Sequence, residues 1–151
     1  AFVTLREHGQ LRGCIGYPGP FKPLVVAVRD VAAYAATRDD RFHPVAPEEL
    51  PLLEYEISVL SPLRRTLDVN EIEIGKHGLL ILRGNHEGLL LPQVPVEQGW
   101  DRKTFLEQAC AKAGLPADAW KSSDTDIFSF TALVLEEPGR AAPERKTERR
   151  D

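Results

Sequence analysis

The chain has 151 residues, 42% of them hydrophobic and 28% charged, with a net charge of −4. That length suits one domain with its own core, and no apolar run approaches the roughly 18 residues that a membrane helix needs. Its two cysteines, Cys14 and Cys110, form no Cys-x-x-Cys pair, which argues against a structural zinc or a disulfide framework and makes a reducing, cytoplasmic setting the expectation.

Phe2-Val3-Thr4-Leu5 is short and β-prone, Glu7-His8-Gly9-Gln10 is polar with a glycine able to take positive φ, and Leu11-Arg12-Gly13-Cys14-Ile15-Gly16 leads back. This spacing predicts a β-hairpin. Strand alternation then puts Arg12 and Cys14 on one face, with Leu11 and Ile15 on the other. After Pro18-Gly19-Pro20, Pro23 suits a first helical turn, and Leu24, Val28, Val31, Ala32 and Ala35 recur at helical spacing to about Thr37. Residues 39–44 read as a loop. Leu53, Tyr55, Ile57 and Val59 alternate with Glu54, Glu56 and Ser58, the pattern of a half-buried strand.

Ile72 and Ile74 lead into Gly75-Lys76-His77-Gly78, and the apolar runs 79–82 and 89–91 flank a polar link, predicting a second hairpin. Asp101 is a helix cap ahead of the stripe Phe105, Leu106, Ala109 and Ala113, with Gly114 as the stop and Lys112 on the solvated side. Residues 125–135 are β-prone on both faces, which predicts a central strand covered on both sides. From residue 138 onward apolar periodicity ends, so 138–151 is expected to be disordered. That tail carries five basic against three acidic residues, which leaves the rest more acidic than the whole and opposes a nucleic-acid surface. Helices and hairpins alternate without a βαβ rhythm, which makes the fold class α+β with a mainly antiparallel sheet flanked by helices.

Cys14 stands between two glycines and two residues after Arg12. A strand sets those Cα atoms roughly 7 Å apart, within reach for a guanidinium to favour the thiolate. The alternative is a packed cysteine serving as a small hydrophobe. In Asp40-Arg41-Phe42 the arginine fork could anchor an anionic substrate, or it could form a helix-end ion pair with Phe42 in the core, the acid being Asp39 or Asp40. No phosphate loop, Gly-x-Ser-x-Gly elbow or His-Glu-x-x-His occurs, and no metal or cofactor motif is present.

Leu11-Arg12-Gly13-Cys14-Ile15-Gly16 resembles the signature hexapeptide of the AMMECR domain family. Further blocks agree in order: Asp40-Arg41-Phe42 with Pro44, Glu49-Leu50, Ile57-Ser58-Val59-Leu60, Gly75-Lys76-His77-Gly78, Leu91-Pro92-Gln93-Val94 and Glu97-Gln98-Gly99-Trp100-Asp101. The resemblance covers residues 1–137 and implies one domain, with a larger lobe of about 1–74 and 125–137 and a smaller lobe of about 75–124. It also implies that a helical segment of the family lies ahead of residue 1 and is absent from this chain, which has no methionine. It favours His77 over His8, His43 and His86 as an acid/base partner for Cys14, and it implies Memo-like and radical-SAM proteins as partners. Two functional readings follow. One is a cysteine-dependent enzyme or carrier using Cys14, Arg12 and His77, with Asp40, Arg41 and Phe42 binding the substrate. The other is a non-catalytic module that binds a partner protein or a small molecule, with Cys14 structural.

Overall fold

The computed structural model describes residues 1–138, so the tail expected to be disordered falls outside them but for Pro138. β1 (Phe2–Glu7) and β2 (Gln10–Gly16) form the first hairpin. It turns on His8 and Gly9, both at positive φ (50° and 75°), a combination that matches the twist of the flanking strands. β3 (Leu53–Leu60) pairs with the other side of β1, and β8 (Ala132–Glu136) pairs with β3, giving an antiparallel sheet in the order β2-β1-β3-β8. α1 (Leu24–Thr37) covers one face of it. Val31 and Ala35 meet Val3, Leu5 and Leu53 there, and the small alanines let the helix backbone come close to the strands.

The second sheet runs β4 (Arg64–Arg65), β7 (Asp126–Phe130), β5 (Gly78–Arg83) and β6 (His86–Leu90), also antiparallel. α3 (Arg102–Lys112) buries Phe105, Leu106, Ala109 and Cys110 against Leu79, Ile81, Leu90 and Ile127. Asp101 caps it as expected, its carboxylate accepting the Thr104 N–H at 2.8 Å, and Gly114 at φ 74° lets the chain leave. The fold is α+β, as expected.

Three features depart from the sequence reading. The stretch 125–135 is not one central strand. It breaks at Thr131, where Ser61 closes the crossing: the Ser61 N–H reaches the Thr131 carbonyl at 2.8 Å, and the Thr131 N–H reaches the Ser61 hydroxyl at 2.9 Å. Its first half, β7, lies inside the second sheet, and its second half, β8, forms an edge of the first with Leu133 62% exposed. Strands therefore change sheets near residues 61–63 and 131, and not near 75 and 125.

A short helix, α2 (Gln93–Gln98), follows β6 where Pro92 and Pro95 gave no helical signal. Both prolines fall at its start, where no N–H is owed to a preceding turn, and Gly99 at φ 68° ends it.

In β3 the faces alternate as expected, with Leu53 and Ile57 toward α1, but burial does not follow the faces: Ser58 is 1% exposed and Tyr55 37%. The sheet face away from α1 is covered there by α2, whose Gln93 donates its amide to Glu56 at 2.9 Å and to Ser58 at 3.2 Å. Among the described residues no helix is long and apolar enough to cross a membrane.

Candidate functional site

Antiparallel register sets Cys14 of β2 opposite Thr4 of β1, and Thr4 opposite Glu56 of β3. Paired residues share a face, so thiol, hydroxyl and carboxylate stand in a row on the side away from α1. The facing wall comes from the second half of the chain: Leu89, Leu90 and Leu91, then Gln93 and Val94 of α2, with Lys112 at the end of α3. Between the walls lies a recess of about 450 Å³. An apolar wall with a few convergent polar groups is the usual make-up of a small-molecule site.

Asp39, two residues past α1 and 8% exposed, organises one end. Its Oδ2 accepts the Cys14 N–H at 2.9 Å, on the open edge of β2. Its two oxygens also take the Arg41 guanidinium, from Nε at 2.9 Å and from Nη2 at 2.7 Å, and Oδ1 accepts the Arg41 N–H at 3.2 Å. Arg41 foremost, and the two backbone donors after burial's opposing effect, hold this carboxyl at about 2. One carboxylate thus fixes the cysteine backbone and a cation at the rim of the recess.

The Cys14 thiol is half-buried and accepts the Thr4 hydroxyl at 3.3 Å. Burial pushes its pKa up, and the Thr4 hydrogen bond and the Arg41 and Lys112 charges oppose this without outweighing it. The resting group is a neutral thiol. Cys110, by contrast, is fully enclosed in the second core.

Arg12 does not face Cys14. The β1–β2 register steps from Leu5↔Gly13 to Arg6↔Leu11, so Arg12 is the extra residue of a β-bulge, and alternation fails at that point. Leu11 joins Cys14 in the recess, while Arg12 turns to the loop after α1. There its Nη1 donates to the His43 carbonyl at 2.9 Å, while its Nε and Nη2 grip Glu49 of the 3-10 turn Pro47–Leu52 at 2.8 and 3.1 Å. That pair, together with the Ala46 N–H, holds Glu49 at about 2. Arg12 is a strap between strand and loop.

Asp40 is exposed, and the acid that pairs with Arg41 is Asp39. Phe42 lies beneath the Arg41 guanidinium, 5.4 Å from its ring centre, and lines a shallow recess with Arg12, Asp40 and His43. His77 does not line the Cys14 recess. The turn at Gly75 (φ 87°) folds it back so that its Nδ1 accepts the Glu73 N–H at 3.0 Å, and it lines a separate recess beside β4 and β7.

The family model for AMMECR1 matches residues 1–135. The chain belongs to the AMMECR1 family. Protein TK0174 of Thermococcus kodakarensis is 50% identical over 155 residues, spanning 96% of this chain and 76% of its own length. Protein MK0488 of Methanopyrus kandleri is 49% identical over 154 residues, spanning 96% and 74%. The crystal structure of uncharacterized protein PH0010 from Pyrococcus horikoshii superposes with a TM-score of 0.87 at 46% identity, covering 90% of this chain and 72% of that one. In this AMMECR1-family chain the hexapeptide supplies Cys14 to the recess and Arg12 to its outer strap.

Sequence reasoning missed Thr4, Glu56, Gln93 and Lys112 as members of the site. Thr4 was legible in principle, because a hairpin closed on His8-Gly9 sets it opposite Cys14. The others depend on pairing between distant segments. Among the described residues no three His, Cys, Asp or Glu side chains gather as metal ligands would.

Proposed function

We propose that this chain binds a small organic acid in the Cys14 recess, as a binding module in which the neutral thiol is a contact and not the resting nucleophile. Support comes above all from Lys112, a cation with no ion pair among the described residues, which lines the recess opposite Cys14 together with Arg41, whose Nε and Nη2 are held by Asp39 and whose Nη1 has no partner among them. Because the Asp39–Arg41 pair is neutral as a unit, Lys112 supplies the unpaired positive charge. The buried Oε1 of Gln93 has no donor and would take a hydroxyl or amide N–H of the ligand. The second reading, a cysteine-dependent enzyme or carrier, is favoured by one observation: the sulfur opens into the recess beside the Thr4 hydroxyl instead of into a core. Association with Memo-like and radical-SAM proteins, implied by the family resemblance, forms part of the proposal under either reading.

Equilibrium dialysis against a panel of small mono- and dicarboxylic acids separates the two. An acid retained by the parent chain should bind Cys14→Ala within a few-fold, and should bind Arg41→Gln and Lys112→Gln about tenfold or more weakly, the loss expected for a charge-assisted contact. The lysine variant guards against loss of fold when Asp39 loses its partner. A covalent adduct on Cys14, with retention abolished in a folded Cys14→Ala chain, would establish thiol chemistry instead.

A further inference from the structure

The Gly75-Lys76-His77-Gly78 block takes no part in the Cys14 recess, yet it lines a recess of about 640 Å³ that shares no residue with the first. We infer that this second recess, around Arg64, Thr66 and His77, binds a small molecule carrying one phosphate group.

Four observations converge on it. Arg64 and Ser129 are register partners between β4 and β7, so their side chains share a face, and both line the recess. Arg65 is taken by Asp126 at 2.7 Å, whereas Arg64 has no side-chain partner among the described residues. A guanidinium without a carboxylate, on a recess wall, is free to grip an oxyanion with its fork.

Next to it, the Oγ1 of Thr66 is buried and makes no hydrogen bond, while its backbone N–H is satisfied by the Ile127 carbonyl at 2.8 Å. An unpaired hydroxyl shut off from water is costly, and a ligand oxygen at this wall would relieve it.

The third observation is the tautomer of His77. Its Nδ1 accepts the Glu73 N–H at 3.0 Å and so carries no proton, which leaves the ring proton of the neutral imidazole on Nε2. The histidine is a hydrogen-bond donor by construction. Lys76, paired with Glu73 at 3.5 Å and largely exposed, adds a second cation to the lining.

Guanidinium, ammonium, imidazole N–H and hydroxyl together outnumber the two oxygens of a carboxylate and suit the three terminal oxygens of a phosphomonoester. The fourth observation limits the ligand. Two carboxylates share the lining, Glu73 paired with Lys76 and Glu71 with no side-chain partner among the described residues, and their charge repels a polyanion such as a nucleic acid. It fits a monoester whose remaining body presents an amine or hydroxyl.

Titration of the ¹⁵N-labelled chain with inorganic phosphate, and then with O-phosphoethanolamine, tests this by amide chemical shifts. Millimolar phosphate should move the amides of residues 64–66, 76–78 and 129–131. Arg64→Gln, an exposed and unpaired position, should keep the parent melting temperature and weaken binding about tenfold. Phosphoethanolamine should bind more tightly than phosphate and lose that advantage in Glu71→Gln. Arg41→Gln should leave all of this unchanged, so the result is independent of the Cys14 recess. An absence of shifts, shifts confined to the Cys14 recess, or affinity unchanged in Arg64→Gln would overturn the proposal.

Discussion

Gly13→Ala should lower stability by about 3 kcal/mol or more, seen as a fall of about 6–12 °C in melting temperature for a domain of this size. Gly13 is buried in β2 directly beneath α1, and a methyl group there would land on the carbonyl oxygen of Ala35. That oxygen belongs to helix backbone, so the clash cannot be relieved by a rotamer change. It can be relieved only by lifting α1, which would pull Val31 and Ala35 out of the core they share with Val3, Leu5 and Leu53. The consequence reaches the site, because Asp39 lies two residues beyond the end of α1. A melting temperature within about 2 °C of the parent chain would show that the helix is not seated on the strand.

Asp39→Ala should cost about 2–4 kcal/mol, because it strips the acceptor from the Cys14 N–H and leaves Arg41 without its partner in one step. Part of this cost depends on pH. The carboxyl titrates at about 2 in the fold against an ordinary value of 3.8, so its stabilisation of about 2 kcal/mol is complete above about pH 4 and fades as the pH falls through about 2. The gap in melting temperature between parent and variant should therefore narrow over that window. Asp39→Asn keeps an acceptor for the Cys14 N–H and should lose less. A gap that stays constant down to about pH 2 would remove the ion pair from the account.

What was legible in the sequence was local. The first hairpin, α1, the Asp101 cap and the Gly114 stop follow from backbone propensities within a few residues, and the structure has them at nearly the expected bounds. Alternation within one strand failed at Arg12, because one extra residue reverses every face beyond it and composition does not announce a bulge. β-propensity in residues 125–135 was real, yet it could not say that the strand serves two sheets in turn. Helix α2 was hidden by prolines that its first turn tolerates.

The site shows the same division. Cys14 and Arg41 were identified from their blocks, and both reach the recess. Asp39 and Asp40 could not be told apart, because the choice rests on which carboxylate meets the free edge of β2. His77 was assigned to Cys14 through the family resemblance, and only the three-dimensional pairing of β5 with β7 shows that it serves another recess.

A neutral Cys14 thiol that opens into the recess is read out by the rate of its alkylation with iodoacetamide as a function of pH, with peptide mapping to separate it from Cys110. Cys14 should be modified first, since Cys110 is fully enclosed. Its rate should keep climbing beyond the ordinary thiol value of 9.0, because burial raises the pKa, and it should fall when the recess holds a retained acid. Cys110 reacting first would show that the Cys14 thiol does not open into the recess, and a Cys14 rate already half-maximal below about pH 8 would show an activated thiolate in place of the neutral thiol.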